Sequence, residues 1–579
     1  EKQKNGQQLL EEIRVSEVIS RHCVVIMITA EMSQAMVLAA LEHKPDSYLC
    51  KPYTPSELSK RLHNCSRKKN AMAGIYQALE NDDKRLAISL INEALEKNTP
   101  YRTECLGIKS RQFFELQEYK NAECIYKAYQ NEKVTLDGTI AINQTWQKHS
   151  DGIYKTTIAE PIWQLFVNDK SMTSARWPNG NWYDRSIWDK SKSMMWPEKG
   201  KGELGTYFNK ELSAFNFDLT GGIIVVNSGS FKTYQTKITK HQTGDDHFSY
   251  NTKGVKSHFS FKKSGVSRHG YFLEGKLGLL DEENEWFYDS ETKQLYLWSE
   301  GGVNPQSLNI RGKVQSYALS ITHSQHISFT GINFFGTSFN IDRSQFIKVA
   351  DSELMYPAYS KRMLGDISPI EVTKMVVRKE NDLANNQLVN CKIAYADGPA
   401  IEMNGVGNRV ENCYMHDIDY SCTHKGGYTL NMVNAPDLTF RRNTVKRTGC
   451  SELFKAGVSN LIELNNLSNS GYLQNDGSMI QVSVKQQPDA VVRNNWIHNS
   501  VKQGIRFDNM NIPHSPYGTN GQVSHNVAWQ TDRMFFKGDK HFIFNNLSFD
   551  SHQNDLIISS NKVIQGHNDD TITRNNISN

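Results

Sequence analysis

From residue 386 to the end of the chain, short apolar stretches alternate with polar turns, and an Asn recurs where each stretch ends. The recurring residues are Asn390, Asn412, Asn443, Asn466, Asn495, Asn526, Asn546 and Asn576. The shorter intervals, such as Asn390 to Asn412, are nearly equal, and the longer ones leave room for an added loop. A period of about 22 residues with an Asn at a fixed turn is typical of a right-handed parallel β-helix, whose coils stack short strands about 4.8 Å apart. The Asn side chains are expected to form a ladder that satisfies the turn backbone.

The position after each Asn is mostly apolar, which indicates a side chain inside the coil. We therefore expect Cys391 and Cys413 to be core thiols and not metal ligands. Residues 326–341 and 346–354 have weaker versions of the pattern and predict two earlier coils. The β-helix is thus predicted to span residues 326–579.

Residues 134–325 have alternating apolar and polar positions without a fixed period, which predicts a β-rich region that caps or embellishes the N-terminal end of the solenoid. Four stretches are informative: 162–169 (IWQLFVND), 175–179 (ARWPN), 285–289 (EWFYD) and 295–298 (LYLW). They resemble the N-terminal region of bacterial β-helix carbohydrate-active enzymes in the pectate-lyase-like superfamily. That superfamily includes polysaccharide lyases and glycoside hydrolases, so the resemblance implies a polysaccharide substrate.

Residues 1–133 have a different pattern. Residues 24–28 (VVIMI) and 48–50 (YLC) are short apolar runs that predict two parallel strands. Residues 33–43 between them have the periodicity of a helix. The whole chain is therefore predicted to be mainly β, with a β-helix and its β-rich leading region preceded by a partial α/β domain and a helical segment.

A further helix is predicted to begin after Thr54, its N-cap, with a proline at the first position and Glu57 completing a capping box. With Thr29 and Lys51 after its two strands, residues 1–66 resemble the C-terminal half of a response-regulator receiver domain. In that family the hydroxyl and the lysine contact an aspartyl phosphate. The phospho-acceptor Asp of the family lies on earlier strands that this stretch lacks.

Residues 67–133 have Ala, Leu and Tyr at helical spacing. This spacing resembles tetratricopeptide repeats, which are about 34 residues long. A small bundle of packed helices is the alternative. Either arrangement offers a surface for protein partners.

Composition separates the same two segments. All ten Trp residues lie after residue 140, and residues 1–133 contain none. We therefore expect two unrelated segments joined near residues 125–140, the first cytoplasmic in type and the β-helix portion extracytoplasmic. The charged stretch 1–14 does not have the pattern of a signal peptide.

Charge and cysteine usage exclude several classes of function. The net charge of +4, from 66 basic and 62 acidic residues, gives no case for nucleic acid binding. The sequence has no long apolar run of membrane-spanning length, so neither a transmembrane helix nor a membrane partner is expected.

The nine Cys residues include no CxxC pair and are expected to be reduced thiols. Asp417 and Asp419 form a DxD that favours surface solvation over a Ca²⁺ site, so no cofactor is expected.

Three carboxylates recur at similar places in the coils. Glu452, Asp476 and Asp508 each follow an Asn of the series at a similar offset, and the first two belong to adjacent coils. Stacking of adjacent coils would place the backbones of Glu452 and Asp476 about 5 Å apart. Carboxylates this close push their pKa values apart, which gives one acid and one base, as in glycosidases. The alternative is that Asp476 begins a turn and Asp508 caps a loop.

Other polar residues on these coils are candidates for binding substrate. Arg506 is predicted to point outward, and Gln481 and Lys537 occupy comparable places. Such groups bind sugar hydroxyls, carboxylates or sulfates. His416 and His498 lie near the turns, where each is either a base or substrate ligand or an ordinary turn residue. Aromatic residues expected to be exposed, for stacking on sugars, are Tyr420, Tyr428 and Tyr472.

These observations favour a glycoside hydrolase that acts on a polysaccharide, anionic polymers included, through the paired carboxylates. A polysaccharide lyase is the alternative enzyme, because Lys537, Arg506 and His498 offer a base and a charge neutraliser. A non-catalytic carbohydrate-binding solenoid is the third interpretation.

Overall fold

The computed structural model describes residues 19–20, 22–29, 45–116, 124–129, 132–198, 201, 203–229, 231–255, 270–423, 427–450, 452–474, 476–509, 518–559 and 568–578. The chain divides into two compact units, residues 1–124 and 125–579. No helix in these described ranges is both long and apolar enough to cross a membrane.

The first unit has two parallel strands followed by helices. Ile26–Thr29 pairs in parallel with Ser47–Cys50, as the two apolar runs of this segment predict. The helices in its described residues are Pro55–Ala71, Ala73–Glu80, Lys84–Glu96 and Arg102–Glu115. The helix predicted over residues 33–43 and the side chain of Thr29 lie outside the described residues.

The predicted capping box is present at the start of Pro55–Ala71. Thr54 Oγ1 accepts a hydrogen bond from the Glu57 N–H at 3.2 Å, and the Glu57 carboxylate accepts one from the Thr54 N–H at 2.7 Å. Each bond satisfies an N–H that has no partner within the helix, so the box stabilises the helix start by about 1 kcal/mol.

The second unit is built on three long parallel sheets, numbered 1 to 3 here. The described strands of sheet 1 are Tyr317–Thr322, Ser338–Asp342, Lys374–Met375, Ile401–Met403, Tyr428–Asn431, Glu452–Lys455, Ser478–Ser483, Gln503–Asp508, Met534–Phe536 and Leu556–Ile558. Those of sheet 2 are Cys124–Lys127, Gln325–Thr330, Gln345–Ala350, Gln387–Val389, Arg409–Glu411, Thr439–Arg441, Leu461–Glu463, Val491–Arg493, Gln522–Ser524, Phe542–Phe544 and Ile572–Arg574. Those of sheet 3 are Val134–Asp137, Ile332–Phe335, Glu353–Met355, Lys392–Ala396, Tyr414–Ile418, Thr444–Thr448, Asn466–Ser470, Trp496–His498, Val527–Trp529, Leu547–Phe549 and Ile577–Ser578.

From residue 317 the chain visits the three sheets in turn, and each strand pairs in parallel with the strand one coil later. Lys392–Ala396 thus pairs with Tyr414–Ile418, which pairs with Thr444–Thr448. Apolar side chains from all three sheets fill the interior as one continuous core. The second unit is therefore the parallel β-solenoid that the Asn repeat predicts.

The solenoid begins earlier in the chain than predicted. Cys124–Lys127 is the first strand of sheet 2, and Val134–Asp137 pairs with Ile332–Phe335 at the start of sheet 3. Residues 138–316, called the inserted region below, therefore leave and rejoin the first coil. The predicted boundary at residues 133 and 134 falls inside that coil, because its strands carry no Asn to mark them.

A ladder of Asn side chains follows the turn between sheets 2 and 3. Asn465 Nδ2 donates a hydrogen bond to Asn495 Oδ1 at 2.9 Å, and the Asn465 N–H donates to the same oxygen at 3.0 Å. Its members are Asn443, Asn465, Asn495, Asn526, Asn546 and Asn576. Each amide thus satisfies backbone that the turn leaves without a strand partner.

The ladder differs from the prediction by one residue at three places. Asn465 is the member instead of Asn466, and buried Cys391 and Cys413 occupy the first two positions of the column. Asn390 and Asn412 stand one residue earlier, with φ of +55° and +54°. Asn tolerates that left-handed conformation better than most residues, so Asn marks two neighbouring columns of the same turn.

This one-residue difference corrects the predicted apolar column. The ladder residue points inward, so the next residue points outward: Trp496 is 59% exposed and Ile577 is 64% exposed. Leu467 is buried because it stands two residues after the ladder member Asn465. The expectation of core thiols at Cys391 and Cys413 agrees with their burial.

The inserted region contains three smaller sheets. In order across each sheet, the described strands are Thr173–Ser174, Glu285–Asp289, Gln294–Trp298, Ile153–Thr157 and Gln147–Lys148; Arg176–Trp177, Tyr271–Glu274, Ile223–Asn227, Thr233–Lys240, His247–Tyr250 and Thr206–Phe208; and Thr139–Ala141, Ile310–Lys313, Leu165–Val167 and Lys170–Ser171. Short helical turns in the second unit are Ser186–Trp188, Lys190–Ser193, Lys210–Ala214, Leu277–Leu279, Glu300–Gly302, Pro305–Ser307, Arg362–Leu364 and Val484–Gln486. The region is β-rich, as its alternating pattern predicts.

A buried ionic network holds the inserted region against the solenoid. Arg362 Nε donates to Glu274 Oε2 at 2.8 Å, and Arg362 Nη2 donates to the hydroxyl of Tyr420 at 3.0 Å. Asp397 lies 3.4 Å from the same guanidinium, and burial raises the pKa of Asp397 to about 6. Because each buried charge has a partner, this contact fixes the inserted region beside sheet 1.

Candidate active site

The outward face of sheet 1 carries a continuous row of polar side chains. Successive strands place in register Lys374, Glu402, Asn431, Lys455, Gln481 and Arg506. The intervening side chains, such as Phe454 and Ile480, belong to the buried core. The alternation of a β-strand therefore produces a polar floor along this face, in which Lys455 and Gln481 are buried and the other four side chains are partly exposed.

Glu452 lies at the start of its strand and is almost completely buried. Its Oε2 lies 3.1 Å from Lys455 Nζ, and its side chain is 9% exposed. Burial raises the pKa of Glu452 above its ordinary value, and the positive charge of Lys455 offsets only part of that effect. Glu452 is therefore a carboxyl group that keeps its proton at higher pH than an exposed glutamate does.

Lys455 is a residue of this site that sequence reasoning missed. Strict alternation places residues three apart on opposite faces of a strand. Here Leu453 and Phe454 are both buried, so Glu452 and Lys455 face the same side. No sequence signal distinguishes this local break in alternation from a regular strand.

Asp476 and Asp508 are bridged by one guanidinium. Arg506 Nη1 lies 3.1 Å from Asp476 Oδ1, and Arg506 Nη2 lies 2.9 Å from Asp508 Oδ2. Lys537 Nζ adds a second cation 3.3 Å from Asp508 Oδ1. Asp508 is thus held between two cations, whereas Asp476 is 41% exposed and open to a ligand.

The pKa of Asp476 shifts in the opposite direction from that of Glu452. Partial burial acts to raise it, but the charge of Arg506 and a hydrogen bond from the Gly477 N–H together hold the pKa of Asp476 below its ordinary value. The charge of Asp476 in turn contributes to the raised pKa of Glu452. The two groups are therefore coupled, one biased towards the acid and the other towards the carboxylate.

The two carboxylates come from neighbouring coils. Phe454 pairs with Ile480, so the register places Glu452 opposite Ser478, two residues after Asp476. Gln481 lies on the same face, and its Oε1 accepts a hydrogen bond from Ser478 Oγ at 2.7 Å. The structure thus brings together, on strands of sheet 1 or within two residues of them, six of the residues singled out from the sequence: Glu452, Asp476, Asp508, Arg506, Gln481 and Lys537.

His416 and His498 lie on sheet 3 and are not part of this cluster. His416 Nδ1 contacts Asp417 Oδ2 at 2.6 Å in a buried position. His498 Nε2 contacts Asn466 Oδ1 at 2.9 Å, and its ring stacks on Trp529. Both histidines come directly after the turn between sheets 2 and 3, so they lie on sheet 3. The carboxylates come after the next turn of the coil, the turn between sheets 3 and 1.

Asp417 and Asp419 have different partners. Asp417 accepts two hydrogen bonds from Arg447, each at 2.7 Å. Asp419 is buried and accepts a hydrogen bond from the Cys450 thiol at 2.6 Å. With Cys422, Asp419 and Cys450 place possible metal ligands within 4.8 Å of one another. Surface solvation, expected from the sequence, is therefore wrong for Asp417 and Asp419, because they lie at the corner that the inserted region covers.

The aromatic candidates have different environments. Tyr420 is buried in the Arg362 network, so its expected exposure is wrong. Tyr428 and Tyr472 are half-buried, and Tyr428 lies beside Lys455, whose Nζ is 5.3 Å from the centre of its ring. Tyr428 and Tyr472 thus keep part of their surface exposed.

The inserted region forms one side of the site. Gln474 Nε2 donates to the Phe231 carbonyl at 3.0 Å and contacts Thr233 Oγ1 at 3.1 Å. Gly427, with φ of +69°, approaches so closely that a Cβ there would lie 2.9 Å from the Phe231 carbonyl oxygen. Chain segments that flank Tyr428 and Asp476 are thus held against the inserted region, which borders the polar floor.

No family model and no curated protein matches the sequence. Among solved structures, one described as a glycoside hydrolase is similar with a TM-score of 0.44 and 11% identity, over 81% of this chain and 92% of the other. A second, XylC in complex with xylose, has a TM-score of 0.34 and 12% identity, over 79% of this chain and 67% of the other.

Proposed function

We propose that the protein is a glycoside hydrolase that cleaves a polysaccharide lying along the outward face of sheet 1. The observation that carries the proposal is a pair of carboxyl groups on neighbouring coils of that face, in contrasting surroundings. Glu452 is buried beside Lys455, and Asp476 is open and paired with Arg506. Glycosidases require such a pair, one group to give a proton and one to act as a carboxylate.

In the proposed reaction, Glu452 donates its proton to the glycosidic oxygen as the bond to the sugar breaks. Asp476 stabilises the positive charge that develops on the sugar, either by activating water or by attacking the anomeric carbon. Asp508 holds Arg506 and Lys537 in place. Because Arg506 spans both aspartates, it positions Asp476 and keeps it ionised.

The test is to replace each carboxyl group by its amide and to measure new reducing ends on a panel of plant and algal polysaccharides. We expect Glu452→Gln and Asp476→Asn each to lower kcat by about 10²-fold or more, since each removes a group that acts in the transition state. Glu353→Gln, which changes a glutamate paired with Lys392 on sheet 3, is the matched control and should keep full activity. Full turnover by both site variants would rule out this mechanism.

A polysaccharide lyase is the second candidate, and Lys502 is the observation that favours it. Burial lowers the pKa of Lys502 to about 7, and Lys502 interacts electrostatically with Asp476. An amine that titrates near neutrality is suited to abstract the proton beside a uronate carboxylate, with Arg506 neutralising the charge. A lyase forms products with a new double bond that absorbs in the ultraviolet, whereas a hydrolase forms reducing ends without that absorption.

A further inference from the structure

Two lysine side chains lie near Tyr472, where the inserted region meets the corner between sheets 3 and 1. Lys190 lines the same cavity as Tyr472, and the side chain of Lys502 lies against Gly471, the residue before Tyr472. Lys190 begins the short helix Lys190–Ser193 and is partly buried. Lys502 immediately precedes the sheet 1 strand Gln503–Asp508 and is only 5% exposed. Within the described part of the chain, neither ammonium group has a hydrogen bond or an ion pair.

Two such charges destabilise each other unless an anion lies between them. Burial lowers the pKa of Lys190 to about 8 and that of Lys502 to about 7, and the charge of Lys190 is a further cause of the shift at Lys502. Of the carboxylates whose charge acts on Lys502, Asp476 is paired with Arg506 and Asp532 with the neighbouring arginine. Asp189, which lines the same cavity as Lys190, accepts hydrogen bonds from the N–H and the hydroxyl of Ser191. An anion from outside the protein would offset the cost of burying both ammonium groups.

A cavity of about 570 Å³ opens beside Lys190, and its lining suits a sugar ring. The rings of Trp188 and Tyr472 line it, with centroids 5.6 Å apart and planes inclined by 42°. Arg447 and Val501, the neighbour of Lys502, also contribute to the lining. Aromatic rings pack on the apolar faces of sugars, and the cations beside them select an acidic substituent.

We propose that this cavity binds a sugar ring carrying a carboxylate or a sulfate ester, with the anionic group between Lys190 and Lys502. Val501, which lines the cavity, lies two residues before the strand Gln503–Asp508, whose Arg506 contacts Asp476, so the cavity is a subsite near the proposed catalytic carboxylates. The inference rests on the proposed function for the polymer to which this sugar belongs, and it assigns that polymer to the acidic polysaccharides.

The test measures binding with the full chain carrying Glu452→Gln, so that no substrate is consumed. Calorimetric titration with glucuronate, glucose 6-sulfate and glucose compares a carboxylate, a sulfate ester and a neutral sugar. We expect one or both anionic sugars to bind at least tenfold more tightly than glucose, since a charge-assisted hydrogen bond contributes at least this much. Lys190→Met and Lys502→Met should each remove that preference, whereas Lys192→Met, an exposed lysine of the same helix, should leave it unchanged.

Several results would overturn the proposal. Equal affinity for the three sugars is one, and an unchanged anionic preference in Lys190→Met is another. Lys190 is partly exposed, so its replacement tests the idea even if Lys502→Met does not fold. If the anionic sugars bind as expected but Glu452→Gln and Asp476→Asn retain turnover on the polymer, the subsite stands and the proposed mechanism fails. Loss of turnover in those variants without anionic preference would refute only the subsite.

Discussion

At the scale of single residues, the environment gives the two carboxyl groups of the proposed site different acidities. Glu452 and Asp476 have similar intrinsic acidity, but Glu452 is buried and Asp476 is open beside Arg506. Burial disfavours the charged form, whereas a neighbouring cation favours it. The opposite pKa shifts, and the roles proposed from them, thus follow from the surroundings and not from the residue types.

The pH profile of the reaction provides a test of the role of Lys455. Its charge lowers the pKa of Glu452, against the larger effect of burial that raises it. A Lys455→Met variant should therefore have a still higher pKa at Glu452, so that the acid keeps its proton to higher pH. We expect the alkaline limb of the kcat profile to move upward in pH.

Lys374→Met, a replacement three strands away in the same polar row, should leave that limb where it is. An alkaline limb that stays in place or moves downward in Lys455→Met would contradict the assignment of Glu452 as the acid.

At the scale of elements, the Asn ladder fixes the turn that joins sheets 2 and 3. Asn495 Oδ1 accepts hydrogen bonds from the backbone and side chain of Asn465, and Asn495 Nδ2 donates to Asn526 Oδ1 and to the Ile462 carbonyl. All of these groups are buried or within strands, where an unpaired polar group is costly. The ladder therefore supports every coil in which it occurs.

We expect Asn495→Ala to lower the free energy of unfolding by about 2–4 kcal/mol, because it leaves several buried polar groups without partners. Asn494→Ala, one residue earlier at an exposed left-handed position with φ of +55°, should cost only about 1 kcal/mol. Denaturant unfolding of the two variants makes the comparison. Equal losses would show that the ladder contributes no more than a backbone preference.

At the scale of the whole molecule, the chain is two compact units with unlike sequences. The candidate catalytic residues all belong to residues 125–579. The first coil of the solenoid depends on strands from residues 124–137, where the ring of Tyr126 stacks on Phe329 at 5.0 Å. The position of that coil determines where the chain can be truncated without removing part of the solenoid.

We expect a chain of residues 124–579 to retain the activity of the full protein. A chain of residues 138–579 should be less stable, because it leaves Gln325–Thr330 and Ile332–Phe335 without their outer neighbours and exposes the edges of two sheets. Thermal unfolding and turnover of the two truncated proteins test this. Equal stability would show that the first coil contributes nothing to the fold.

Much of the architecture can be predicted from the sequence, because a repeated turn needs the same residue in every coil. The repeat places the ladder correctly at Asn443, Asn495 and later members. It is wrong at Asn466, where two adjacent Asn residues fit the pattern equally well, and at Asn390 and Asn412, where the next residue, a Cys, occupies the column. It does not reveal the strands at residues 124–137, because a single coil without Asn has no periodicity to detect.

The candidate site can be predicted only in part. Recurrence along the coils identifies Glu452, Asp476 and Asp508 as neighbours, because stacking converts sequence spacing into distance. Recurrence cannot exclude His416 from the candidate site, since the pattern does not say on which of the three sheets a polar residue lies. Nor can it find Lys190, which comes from the inserted region and is far from Lys502 in the sequence.

Local periodicity and repeated turn chemistry are enough to specify the solenoid and the coils that carry the carboxylates. Contacts between distant segments decide that Glu452 is buried beside Lys455, that Arg506 joins two aspartates and that Lys190 and Tyr472 line one cavity. The difference arises because burial and charge coupling depend on groups that are close in space, wherever they lie along the chain.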